Sequence, residues 1–409
     1  MCLQDRSRVL VSTQAAEDVL KVVSLFSGCG GLDIGFEQVG FEVIAAYEAH
    51  DRTAQTYNLN LKNVARSRVL DEGSDIGQGA DIVLATPPCQ GFSTAGGYRQ
   101  EDPRNDLLSV AAKLIVSAKP RVAVIENVAA LGNSRNRNTM QVAIDILVAG
   151  GYAVEFKVLE AERLGVPQRR RRLFIIARIG RAHFHLAGLG DGPRTLGLAN
   201  VFGGLNEQAT DHNPKPLTKN SNHERIARRI GQGQKLCNVR VGDAAVPTWD
   251  IPEVFGEVSA DERRILELVQ RLRRTERERS FGDADPVSLE RLSFAYGRDP
   301  TSNVDSLVGK GYLRRLNGKI DLTNTFNGKY RRLDVNDVSP TVDTRFGDFR
   351  LFLHPTEQRG MTVREAARIQ GFPDSFTFDK DERIAFTQVG NAVPPPVGYA
   401  VATFVRSLL

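Results

Sequence analysis

Short apolar runs alternate with helically spaced segments through the first 178 residues, and this alternation constrains the fold more than any other feature. Val22 to Phe26 has the composition of a short buried strand, broken by Ser27-Gly28-Cys29-Gly30-Gly31. Leu32, Gly35, Phe36 and Val39 then follow at helical spacing. A second strand, Val43 to Tyr47, ends in Glu48. Ile82 to Ala85 and Val122 to Ile125 are two more apolar strands, with a helical segment, Leu107 to Val116, between them. Leu147 to Gly151, Ala153 to Val158 and Leu173 to Ala177 continue the pattern. Strand alternating with helix predicts an α/β fold built on a doubly wound, mostly parallel sheet.

A chain of 409 residues is long for one domain, so two are expected. From Gly180 to Asp250 the sequence is rich in Gly, Asn, Pro, Arg and His with weak periodicity, which predicts a loop-rich second domain. Asp261 to Arg273 is a charged helix with Ile265, Leu268, Val269 and Leu272 on one face. Between Ser288 and Leu322, two helical segments precede a hairpin with an Asn317-Gly318 turn. That succession resembles a winged helix, although an ordinary α+β insertion is the favoured reading. Thr362 and Glu365 form a capping box opening a helix through Ile369, and Gly371-Phe372-Pro373 stops it. Val389 to Pro395 has the composition of a turn, and Val397 to Leu409 that of a final apolar helix.

No apolar run is long enough to span a bilayer, and residues 1–18 lack the apolar core of a signal peptide. The four cysteines are scattered, fitting neither a disulfide framework nor zinc spacing, so a reducing cytosol is expected. A net charge of +5 permits a polyanionic partner without requiring one.

Several residues carry chemistry. Glu48 ends the second strand twenty positions after Gly28, where a carboxylate accepts hydrogen bonds from ribose hydroxyls. The glycines let a ligand approach the backbone, so the pair points to an adenosine-bearing cofactor. Asp33 stands where a dinucleotide fingerprint has its third glycine, which favours a cofactor without a pyrophosphate, such as S-adenosylmethionine. Asp75-Ile76 offers a carboxylate and an apolar face to adenine. Pro87-Pro88-Cys89-Gln90 follows the strand at Ile82 to Ala85; Cys89 is either a nucleophile or a small buried hydrophobe. Glu126 ends the next strand and belongs on the same rim as Cys89, though a cap or salt bridge is the simpler reading of its position alone. In Gln168 to Arg172, strand alternation sends Arg170 and Arg172 one way and Arg169 and Arg171 the other.

Taken in order, these residues resemble the DNA (cytosine-5)-methyltransferases. The likeness covers about the first 178 residues and the last 55 or so. Ser24 to Leu32, Pro87 to Ser93, Arg104-Asn105-Asp106-Leu107-Leu108, Glu126-Asn127-Val128, Gln168 to Arg172, Arg364 to Pro373 and Gly390 to Pro395 carry it. The resemblance implies a tail at 1–19, a catalytic and cofactor-binding domain at 20–178, a target-recognition domain at 179–354 and a return to the catalytic domain at 355–409. It implies Cys89, Glu126, Arg170 and Arg172 as catalytic residues. Cofactor contacts would come from Phe26, Gly28, Cys29, Gly30, Gly31, Glu48, Asp75, Ile76, Pro88, Leu108, Asn391 and Val393. DNA contacts would come from Gln90, Ser93 and Gln168, joined by Asn303, Lys310, Arg314 and Arg315 if the winged helix holds. The loop Gly91 to Asp102 would close over a flipped base, hinged at Gly96-Gly97. S-adenosylmethionine is the implied cofactor and duplex DNA the implied partner of a cytoplasmic monomer, with a cognate restriction endonuclease as its functional counterpart. An RNA cytosine methyltransferase and a non-catalytic DNA-binding regulator are the alternatives.

Overall fold

The computed structural model describes residues 19–88, 107–180, 182–195, 197–205, 209–239, 242–275, 284–325 and 327–409. Its centre is a seven-stranded sheet of β1 (Lys21–Leu25), β2 (Glu42–Glu48), β3 (Ala65–Ser67), β4 (Ile82–Ala85), β5 (Val122–Val128), β6 (Tyr152–Glu160) and β8 (Arg171–Ile179). A two-residue strand, β7 (Gln168–Arg169), lies just before β8. The order β3-β2-β1-β4-β5-β8-β6 is parallel through β5, and β8 runs antiparallel between β5 and β6. Only residues 161–170 join β6 to β8, too few for the crossover that a parallel neighbour needs.

Helices α1 (Gly31–Gln38), α2 (Asp51–Asn60), α3 (Leu107–Ala118) and α4 (Arg137–Ala149) follow the strands in turn. Alternate strand residues feed two cores. Val23, Leu25 and Val83 join α3 and α4 on one face, while Val22, Ile82 and Val124 join Leu32 and Phe36 of α1 on the other. Burial on both faces is why these strands are continuous apolar runs.

The middle of the chain holds the short helices α5 (Asn222–Arg228) and α6 (Pro252–Phe255) and the paired β9 (Lys235–Leu236) and β10 (Ala245–Val246). Beyond them come α7 (Ala260–Thr275), α8 (Leu289–Tyr296), α9 (Thr301–Lys310) and a hairpin of β11 (Leu313–Leu316) and β12 (Lys319–Leu322). Asn317 and Gly318 turn the hairpin with φ of 49° and 76°, the left-handed pair a two-residue turn requires. Val287 bridges antiparallel to Ile320, adding a third strand outside β12. Three helices, a strand before the second, and a closing hairpin make a winged helix, so the ordinary-insertion reading is corrected. Its core is its own: Ile265 and Val269 of α7 meet Leu292, Val304, Leu307, Leu313 and Ile320. The apolar stripe of α7 thus belongs to this unit.

Short strands β13 (Arg331–Arg332) and β15 (Phe352–Leu353) pair with each other, and β14 (Ser339–Pro340) pairs with β7. The chain ends in α10 (Val363–Ile369), with its capping box in place, α11 (Glu382–Asn391) and α12 (Pro395–Leu408). Val389 to Asn391 form the last turn of α11, which corrects the expected turn; the break falls at Ala392 to Pro394. Helix α12 lies on α1. A Cβ on Gly35 would sit 2.2 Å from the Gly398 backbone, and one on Gly31 2.2 Å from the Val393 carbonyl. Close backbone approach therefore fixes the chain end against the glycine loop. Among the described residues no helix is long and apolar enough to cross a membrane.

Candidate active site

The sheet order reverses between β1 and β4, and ligands of such sheets bind outside the carboxyl ends of the strands at that point. The glycine loop leaves β1 there. Phe26 has φ of 55°, a left-handed conformation that costs a non-glycine residue about 1–3 kcal/mol. Two contacts hold it: the Thr86 hydroxyl donates to the Phe26 carbonyl at 2.6 Å, and the Thr86 N–H donates to the Leu25 carbonyl at 3.1 Å. Thr86 immediately precedes Pro87 and Pro88, so one side chain links the β1 loop to the Cys89 loop. Thr86 belongs to no motif; its one signal in the sequence is a hydroxyl beside a double proline.

Glu48 is oriented before any ligand arrives. Its Oε2 accepts the Gly28 N–H at 3.0 Å and its Oε1 the His50 N–H at 2.8 Å. Gly28 has φ of 56° and open space where a side chain would stand, as a ligand-facing position needs. Gly30 and Gly31 are required by packing instead, against Leu61 and Tyr57 and against Val393. Asp33 is buried beneath the loop, accepting the Ser24 hydroxyl and the Tyr57 hydroxyl at 2.8 Å each. Burial pushes its carboxyl up to about 6, against those two hydrogen bonds. Cys29 is also buried, and desolvation pushes its thiol up to about 12, so it stays protonated.

The other expected cofactor contacts divide. Pro88 and Asn391 are exposed at the rim, whereas Ile76, Leu108 and Val393 are core residues. Asp75 is exposed, with its Oδ1 accepting the Gly77 N–H at 2.9 Å.

Glu126, two residues before the carboxyl end of β5, is 8% exposed, with Arg172 Nε 3.1 Å from its Oε1. Phe174 of β8 stands opposite Glu126, so Arg172 reaches it along the cross-strand diagonal. Burial raises the Glu126 carboxyl, and the Arg172 and Arg170 charges draw it back. Asn127 turns inward, its amide donating to the Pro87 carbonyl at 3.1 Å, two residues before Cys89. Cys89, Gln90, Ser93, the loop 91–102 and residues 104–106 lie outside the described residues.

The arginine run separates as alternation predicts, with Arg169 and Arg171 outward. Arg170 and Arg172 have different partners, however. Arg170 is fully buried and donates to the carbonyls of Val342 (3.1 Å), Gly390 (3.2 Å) and Ala392 (2.8 Å). It positions the chain end; Arg172 is the arginine paired with Glu126. Gln168 is corrected as a DNA contact. It is fully buried, donating to Gln370 Oε1 at 2.9 Å and accepting the Val342 N–H at 2.8 Å. Lys310 is corrected likewise: both Glu262 oxygens lie 2.8 Å from its Nζ, and it also donates to the Glu257 carbonyl. Arg314 pairs with Asp321 and Arg315 with Asp305, while Asn303 is half-buried on α9.

The Glu48–Gly28 hydrogen bond and the Glu126–Arg172 pair thus stand at the ends of neighbouring strands of one sheet, with Pro87 tethered by Asn127. The C-5 cytosine-specific DNA methylase model matches residues 20–241 and 245–406, and the chain belongs to that family. It is 30% identical to the type II methyltransferase M.XorII of Xanthomonas oryzae pv. oryzae, over 95% of this chain and 84% of that protein. It is 27% identical to M.HgiBI of Herpetosiphon aurantiacus, over 92% of this chain and 94% of that protein. Among solved structures, the S. pombe Dnmt2 methyltransferase shares the fold at a TM-score of 0.51 and 15% identity, over 95% of this chain and 99% of that one. A protein encoded within an E. coli prophage matches at a TM-score of 0.56 and 20% identity, over 95% and 99%.

Asp33 yields a pH prediction. Its carboxyl is raised in the fold from 3.8 to about 6, so its contribution to stability is complete below the lower value and lost as pH rises through the upper. Between pH 4 and 8 the wild type should lose up to about 3 kcal/mol relative to Asp33→Asn. Denaturant titrations of both proteins across that range check this; a pH-independent difference between them would refute it.

Proposed function

We propose that this DNA cytosine-5 methyltransferase uses S-adenosylmethionine as methyl donor and Cys89 as nucleophile, on cytosine in a specific duplex sequence. The observation that carries the reading is the convergence, at one sheet rim, of the anchored Pro87 carbonyl, the Glu126–Arg172 pair and the Glu48–Gly28 pocket.

A base inside a duplex is out of reach, so the target nucleotide is extruded, at about a few kcal/mol. The Cys89 thiolate forms a bond to carbon 6 of the cytosine. Electron density moves toward nitrogen 3, where Glu126 holds the ring and the amino group. Its raised carboxyl affinity for a proton suits it to donate there. Arg172 keeps Glu126 in place and would orient the base carbonyl oxygen. S-adenosylmethionine, when bound, would supply an electrophilic methyl group to carbon 5, the methyl–sulfur bond breaking and the sulfonium leaving as a neutral thioether. Loss of the carbon 5 proton and β-elimination of the sulfur restore the aromatic ring and free Cys89. The carboxylate of Glu48, already oriented by two N–H groups, is the ribose acceptor. Likeness to type II methyltransferases supports a cognate restriction endonuclease as functional counterpart.

Cys89→Ser should abolish methyl transfer to a duplex while cofactor affinity, read by calorimetry, stays near wild type; retained transfer would sink the assignment. Glu126→Gln should lower the single-turnover rate by about 10²-fold or more. The wild-type rate should decline as pH rises through the elevated Glu126 value, because the acid form is the donor, whereas the Gln variant should lack that decline. Thr86→Val should weaken cofactor binding roughly five- to tenfold by releasing the Phe26 carbonyl, and Thr86→Ser should restore it. Equal affinities in the two variants would remove Thr86 from the pocket.

A further inference from the structure

We propose that the long edge of the central sheet is a self-association surface, where β6 of one copy pairs antiparallel with β6 of a second copy about a two-fold axis at Phe156. The proposal goes beyond the methylation reading and departs from the monomer that the family resemblance implies.

The two edges of the sheet differ. At one edge β3 has three residues, too few to template another strand. At the other, β6 pairs with β8 in unbroken register from Tyr152 to Glu160, and among the described residues no strand lies on its outer side. It has neither a proline nor a bulge, the devices that ordinarily blunt such an edge. Phe156 stands at its centre, 50% exposed, between Val154 and Val158, which pack against the core that α3 and α4 cover.

Charge selects what the edge can pair with. Glu155 and Lys157 flank Phe156 on the opposite face of the sheet. Turned about Phe156, the strand is its own complement. Glu155 falls opposite Lys157 of the second copy at two equivalent places, Val154 opposite Val158, and Phe156 opposite itself. The next registers that keep every residue on its face centre the axis on Glu155 or on Lys157, and so set like charges against each other. Among the described residues Glu155 has no ion-pair partner, and Lys157 lies 3.1 Å from the exposed carboxylate of Asp191. A pair so open to solvent is weak enough to exchange. A lysine on an edge strand ordinarily repels a second strand. Here Glu155, two residues earlier, reverses that effect for a copy of this chain. The contact uses the same patch on both copies and closes after two. A two-fold axis normal to the sheet inverts the strands, so the rims of the two copies point in opposite directions.

Sedimentation velocity on the full-length protein, between about 1 and 100 µM, tests the proposal. The wild type should pass from monomer to dimer across that range. Lys157→Glu should raise the dimer dissociation constant about tenfold or more, and Glu155→Lys should do the same. The exchanged pair Glu155→Lys/Lys157→Glu should bring it back to near the wild-type value, which separates lost complementarity from lost folding. Under mild oxidation Phe156→Cys should give a covalent dimer that the wild type does not, because the axis sets this residue against its own copy. A wild type that stays monomeric at every concentration would overturn the proposal. So would a dimer indifferent to both charge reversals, since its contact would lie elsewhere.

Discussion

The guanidinium of Arg170 is buried and hydrogen-bonds three backbone carbonyls, two of which flank Asn391. Much of the site depends on that junction. Arg170 sits between β7 and β8, so its placement sets where β8 begins, and Arg172 two residues on meets Glu126 only if that register holds. The same carbonyls belong to the chain end, whose next residues pack on Gly31 and Gly35 of α1. Gln168 adds a neutral bridge to Gln370 and Val342 two residues earlier. A buried cation held by backbone dipoles is expensive to remove, since each orphaned carbonyl would carry a desolvation penalty of about 1–3 kcal/mol. The Glu126–Arg172 pair and the glycine loop are thereby built on one joint, although Arg170 and Gly390 lie more than two hundred positions apart.

The same device recurs where apolar residues are sparse. Arg332 donates to the carbonyls of Ala227, Ile230, His354 and Glu357 and to Gln358 Oε1. Arg359 is paired with Glu365, whose carboxylate also closes the α10 capping box. A planar fork with five donors can satisfy several loop carbonyls at once, which a lysine cannot. This is how a segment with weak periodicity acquires fixed geometry without a large core of its own.

That device also marks the limit of what could be read in advance. Strands β1, β2, β4 and β5 were legible because burial on both faces makes them unbroken apolar runs. The capping box of α10 was legible because its signal is local. Strands β3, β9, β10 and β13 to β15 span two or three residues and have no period. The winged helix is hard to read because its first strand is a single bridging residue, Val287, and the apolar face of its first helix lies far in sequence from the hairpin it packs on. Within the candidate site, Glu48, Gly28 and Glu126 followed from strand ends. The separate roles of Arg170 and Arg172 did not, because alternation places both on one face and cannot say that the chain end covers the first. Gln168 fails as a DNA contact for the same reason.

Burial also decides the chemistry of Cys29. Cys29 precedes a helix N-terminus, a position that ordinarily lowers a thiol's proton affinity. In the apolar cluster that joins Ile34 to Phe372 and Val389, desolvation outweighs the helix and drives the thiol from 9.0 to about 12. A thiolate there would be an uncompensated charge among hydrocarbon. The segment leaving β4 meets the opposite surroundings: Pro88 is exposed, Pro87 is tethered by Asn127, and the Glu126–Arg172 pair stands on the adjoining strands. Under the proposed function, the exposed end of the segment leaving β4, not the buried glycine loop, is where a nucleophile belongs. The glycine loop can therefore keep a cysteine of its own, because Cys29 stays a thiol.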